Sequence, residues 1–157
     1  MFATATVVLV AGITATAPAP TCPPTDLRAD MLKMHEMARQ AHLRGDAGLI
    51  AGTLSDQLVS ADDGTIRIQS QSEVTEFFAG YFRRVRYREW KDTKPPVVHI
   101  SPDGQIGWMA VEIEAKYIQT DKDKAEGEKS FKSSWISTYR RDHCAWKMTG
   151  IASNVVE

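Results

Sequence analysis

Few residues in this 157-residue chain have the type and spacing that chemistry demands. His35 and His42 lie seven apart, which on a helix puts both on one face, about 10 Å apart along the axis. One metal ion does not span that gap and no third ligand follows at suitable spacing, so no metal site is expected. An imidazole titrates near neutral pH. His35 at the mouth of a pocket would therefore serve as a proton-transfer group, with Asp62 as the carboxylate of a working pair. The plainer account is a helix-flank histidine bonded to backbone or water.

Other constellations fail on inspection. Asp121, Asp123 and Glu126 have a superficial calcium-loop pattern. Lys122 and Lys124 are interleaved, however, Glu126 stands where a glycine is needed, and Lys132 takes the twelfth position. A solvated hairpin tip accounts for them better. His143 and Cys144 are adjacent, so on a strand their side chains point to opposite faces and do not form a nucleophile pair. No nucleophile elbow, phosphate-cradling loop or dinucleotide fingerprint occurs, and no cofactor is expected.

The formal net charge of -1 argues against a nucleic-acid-binding surface. Arg83, Arg84, Arg86 and Arg88, beside Tyr87 and Trp90, read as a solvated helix end running into an edge strand. The length suits one domain with one core. Residues 1–25 stand apart. Their apolar run Val7–Ile13 is too short to span a bilayer but has the length of a signal-peptide core, and Ala15, Ala17 and Ala19 suit a cleavage site. No Lys or Arg precedes that run. Residues 1–25 are expected to be a signal peptide and linker, leaving a secreted or periplasmic domain over 26–157 with no membrane attachment after processing. Cys22 and Cys144 would form one disulfide in an oxidising compartment, or else are two unrelated thiols.

The elements that must position these residues follow from periodicity. Thr25 or Asp26 caps a helix with Leu27, Met31, Met34, Ala38 and Ala41 on one face, ending at Gly45. Asp46 caps a short helix carrying Leu49, Ile50 and Leu54. Gln57–Ala61 reads as a strand, turning at Asp62-Asp63-Gly64 into Thr65–Ile68. Ser70 and Glu73 have capping-box spacing and open a third helix with Val74, Phe77, Phe78, Tyr81 and Phe82. Pro95-Pro96 marks its far boundary. Val97–Ser101, Trp108–Tyr117, Phe131–Tyr139 and Trp146–Ile151 read as four strands, with Asp121–Lys129 as a charged hairpin loop. Alternation sustained this long means antiparallel strands with one face on a core, and the helices must cover that face. The fold class is α+β: a cone-shaped, curled antiparallel sheet with three helices from the N-terminal half on its concave face.

The stretches AHLRGDAGLIAGTLSDQLVSADDG, SEVTEFFAGYF, ISPDGQIGWMAVEI and WISTYRRDHCAWKMTGIAS together resemble the nuclear-transport-factor-2-like superfamily. This is the cystatin-like cone fold shared with ketosteroid isomerases and polyketide cyclases. The likeness runs from about Asp26 to the C-terminus and is closest to exported bacterial members whose first helix has the same His…Ala-His…Asp pattern as His35, Ala41-His42 and Asp46. It implies a conical pocket and dimers packed through the sheet, and no single activity. The isomerases' oxyanion tyrosine would fall near Ala38, their general base near Ala61 and their neutral acid near Ser137. Ala38 and Ala61 supply neither donor nor base, so steroid isomerisation is not expected.

The pocket is expected to be lined by Met34, Ala38, Tyr81, Trp90, Trp135, Ser137 and Tyr139, with Trp90 as a lid. Trp108 and Glu112 are assigned to the outer, dimerising face. The function expected is binding of a small apolar molecule by an exported homodimer. The alternative is an isomerase, cyclase or dehydratase-type enzyme using His35 and Asp62.

Overall fold

The computed structural model describes residues 22–121 and 124–156, with side chains omitted for 121 and 124–126. The expected signal peptide, up to Thr21, and the tip of the charged hairpin therefore lie outside the described residues. The described residues form three helices, α1 (Leu27–Arg44), α2 (Ala47–Thr53) and α3 (Gln71–Phe82). They also form seven strands, of which β1 (Leu54–Asp62) and β2 (Thr65–Ser70) run between α2 and α3, and β3 (Val85–Asp92), β4 (Val97–Ile100), β5 (Ile106–Asp121), β6 (Lys124–Asp142) and β7 (Ala145–Val156) follow α3.

The helix ends lie where capping chemistry places them. The Asp26 carboxylate accepts from the amides of Arg28 and Ala29, and Asp46 accepts from Gly48 and Leu49. Ser70 and Glu73 close a reciprocal capping box. Gly45 ends α1 in the left-handed region at φ 65°, a conformation that costs a residue with a Cβ. Leu54, expected in α2, instead opens β1 and is buried.

The sheet order is β2-β1-β7-β6-β5-β3, with β4 also paired to β5. The 16-residue β5 serves β4 over Gly107–Ala110 and then β3 over Ile113–Gln119, two successive partners along one edge. All joins are antiparallel except β1 with β7, which is parallel, so the sheet is mixed rather than wholly antiparallel. Register shifts in β1, in β3, near Thr138 and near Ile118 bend the strands, and accumulated twist curls the sheet around the helices.

Two expectations need correction. The arginines after Phe82 do run into an edge strand, β3, but α3 stops at Phe82 and does not reach toward Pro95, and β3 makes five strands after the last helix rather than the four counted. The charged hairpin loop expected over Asp121–Lys129 is shorter than that, because β5 and β6 stay paired to Asp121 and Lys124.

Met109, Val111, Ile113 and Ala115 alternate inward from β5 and are almost fully buried, against Met31 and Ala41 of α1, Val74 and Phe82 of α3 and Trp146 of β7. The Trp146 indole donates to the Leu27 carbonyl at 3.1 Å, tying the last strand to the start of α1. Cys22 and Cys144 form a disulfide across 122 residues, linking the segment before α1 to the β6–β7 turn.

Candidate functional site

The inward face of β6 carries Phe131, Ser133, Trp135, Ser137 and Tyr139 toward the helices. Ser137 has no solvent exposure; its hydroxyl donates to the Tyr139 phenol at 3.0 Å and lies 3.3 Å from the Met109 carbonyl. Trp90 is no lid. It is 7% exposed, with its ring among His42, Tyr87 and Trp135. Met34 and Ala38 are half-buried on α1, and the Ala38 carbonyl accepts from His42 Nδ1 at 2.7 Å. The half of the cone that was to hold a ligand is therefore packed with side chains. Of the expected lining set, Tyr81 borders an opening at the cone's end, while Trp135 and Tyr139 border grooves on the outer side of the sheet.

His35 and Asp62 are not brought together as a working pair. Asp62 ends β1, partly exposed, and pairs with Arg67 of β2. His35 is 93% buried and its Nε2 lies 2.8 Å from the Asp92 carboxylate at the end of β3, with Trp135 6.1 Å away ring to ring. Asp92 is the partner that the sequence did not reveal. Fifty-seven residues separate the pair, and no local pattern links them.

His42 turns into an aromatic enclosure. Phe78, Phe82 and Tyr87 present edges to its ring at 5.3 to 5.5 Å, and the Trp90 indole lies at 4.1 Å. Desolvation drives its pKa down to about 4, outweighing the bond to the Ala38 carbonyl. His42 is thus a neutral, donor-fixed core residue. Among the described residues no group of three or more His, Cys, Asp or Glu side chains gathers to hold a metal.

The open concavity lies at the end of the cone where the β5–β6 hairpin projects. Tyr81 and Arg84 come from the end of α3 and the turn after it, Val85 and Tyr87 from β3, and Tyr117 and Gln119 from β5. Phe131 of β6 and Val155 of β7 complete a pocket of about 350 Å³. That volume is within the range of small-ligand sites. The Tyr81 and Tyr87 hydroxyls are 2.7 Å apart. Burial pushes the pKa of both phenols up, so both stay protonated; one hydrogen closes their mutual bond and the other remains to donate. Tyr117 and Phe131 stand edge to face 5.8 Å apart and extend the aromatic wall to Tyr87.

The outer face of the sheet is apolar along its middle. Cross-strand register lines up Ile66, Ala61, Ala152, Ile136, Ala110 and Val97 in one row across six strands. A parallel row holds Ile68, Val59, Gly150, Thr138, Trp108 and His99, with Trp108 stacked on His99 at 5.6 Å. Ile66, Ile136 and Val97 are each more than half exposed.

No family model matches the sequence, and no curated protein matches it. The fold matches many solved structures. A nuclear-transport-factor-2-like protein from Cytophaga hutchinsonii superposes with a TM-score of 0.66 at 14% identity, over 84% of this chain and 100% of that one. A ketosteroid isomerase-like protein from Erwinia carotovora atroseptica gives 0.66 at 12% identity, over 84% and 98%. A superfamily member from Salmonella enterica serovar Typhimurium gives 0.64 at 12% identity, over 82% and 89%. The chain has the nuclear-transport-factor-2-like cone fold.

Proposed function

We propose that this chain is an exported domain that binds a small, largely apolar molecule in the pocket at the open end of the cone. It does so as a homodimer packed through the outer sheet face and without strong catalysis. One observation carries the reading: the pocket wall is three tyrosines, a phenylalanine and two valines with Arg84 and Gln119 at its rim, and among the described residues no carboxylate or imidazole lines it. Such a surface holds an apolar body and offers it a hydrogen bond, but supplies no base. The disulfide accords with an oxidising compartment and hence with export. The apolar row from Ile66 to Val97, with Ile68, Val59 and Trp108 beside it, gives a two-fold partner a face to cover.

The enzymatic alternative rests on a different observation, the His35–Asp92 pair at 2.8 Å among apolar walls. A carboxylate-oriented imidazole is a proton-transfer couple. Its weakness is access, since only 7% of His35 is exposed.

Native mass spectrometry of the protein purified from its own host tests the reading in one experiment. The expected spectrum is a dimer whose subunits begin close to Cys22 and which releases a small organic molecule on activation. An Ile136→Glu variant is expected to run as a monomer. An unprocessed Met1 would refute export, a wild-type monomer would refute the sheet-face dimer, and a dimer that carries no small molecule and takes up none would refute the binding role.

A further inference from the structure

We propose that the pocket at the open end selects an amphipathic acid, with a planar apolar body against Tyr81, Tyr117 and Phe131 and a carboxylate on Arg84. The inference rests on the reading of that pocket as the binding site. Among the described residues Arg84 is the one charged residue in its lining. Its main chain is held on both sides: its amide donates to the Tyr81 carbonyl at 2.9 Å, and its carbonyl accepts from Thr120 at 2.8 Å. The guanidinium therefore starts from a fixed point on the rim. No carboxylate of the described residues pairs with it, whereas Arg39 and Arg67 each have an acidic partner.

The neighbouring groove strengthens the bias. It shares Val85 and Tyr87 with the pocket and adds Arg44, Arg86 and Arg88, likewise without acidic partners among the described residues. Four cations thus gather on one side of a chain whose net charge is -1. Their summed field favours an anion at this end of the cone. A single guanidinium presents two parallel N–H groups that match the two oxygens of a carboxylate. The aromatic wall beside it takes an apolar body of one or two rings.

Isothermal titration of the disulfide-bonded protein with 2-naphthoate and with the neutral 2-naphthalenemethanol tests this. The acid is expected to bind at least about tenfold tighter at low ionic strength, the scale of one charge-assisted contact. Raising salt should narrow the gap. Arg84→Gln should bring the acid down to the alcohol's affinity and leave the alcohol within about twofold of its wild-type value. Equal affinities in the wild type, or a preference that survives Arg84→Gln, would overturn the inference while leaving the pocket reading in place. Binding of neither compound would overturn the pocket reading and the inference with it.

Discussion

The imidazole of His42 lies 4.1 Å from the indole of Trp90, ring centre to ring centre, inclined at 38°. The contact belongs to the wall between α1 and β3, where burial disfavours a charged imidazole. Its pKa is about 4 in the folded chain against 6.5 for the free side chain, so between those values the unfolded chain binds more protons. Stability due to this group is therefore complete above pH 6.5 and lost as pH falls toward 4, by about 3 kcal/mol in all. Urea unfolding at pH 7.5 and 4.5 should show most of that loss, and His42→Leu should remove it. An equal pH dependence in the variant would exclude His42 as the source.

Gly107 lies where α1 packs tightly on the sheet. A Cβ there would sit 2.6 Å from Met31 Cε and 2.7 Å from the His99 carbonyl oxygen. Met31 is fully buried, and the carbonyl belongs to the β4 backbone paired with β5, so neither has room to yield. Gly107→Ala should cost about 1–3 kcal/mol by overpacking, read as a lowered urea midpoint with unchanged slope. A midpoint equal to wild type would mean that the helix rides higher over the sheet than the structure places it.

The β6–β7 turn places His143 and Cys144 in the left-handed region at φ 45° and 68°, where glycine or asparagine is usual. The bridge to Cys22 holds that turn and closes a loop of 122 residues. Chain-entropy reasoning assigns a cross-link of that span about 4–5 kcal/mol. Replacing both cysteines by serine should lower stability by up to that amount, measured by chemical denaturation. A variant as stable as the wild type would show that Trp146 and the Asp26 cap secure this end unaided.

Local rules wrote most of the architecture into the sequence. The caps at Asp26, Asp46 and Ser70 are side-chain-to-backbone contacts over two or three residues, and β5 alternates cleanly over Met109–Ala115 because one face is buried. The bounds and inward face of β3 hid for a physical reason. Val85 and Tyr87 point inward, but an irregularity between Tyr87 and Glu89 delays the next inward residue to Trp90 and breaks the period of two. Four arginines between Arg83 and Arg88 added to the appearance of a solvated helix end. The site was less legible still. Its wall draws on α3, β3, β5, β6 and β7, and neither Asp92 beside His35 nor Tyr87 beside Tyr81 leaves a local signature. The filled interior was equally hidden, because Trp90 and His42 meet only through tertiary packing.

The central claim is that ligands enter at the open end of the cone and not between its packed inner walls. Mapping ring resonances of selectively labelled tyrosine, phenylalanine, histidine and tryptophan during titration with 2-naphthoate tests it most directly. Saturable shifts are predicted at Tyr81, Tyr87, Tyr117 and Phe131, with the rings of His35 and Trp135 unmoved. Shifts centred on His35 and Trp135, with the tyrosines still, would contradict the account and return the site to the interior.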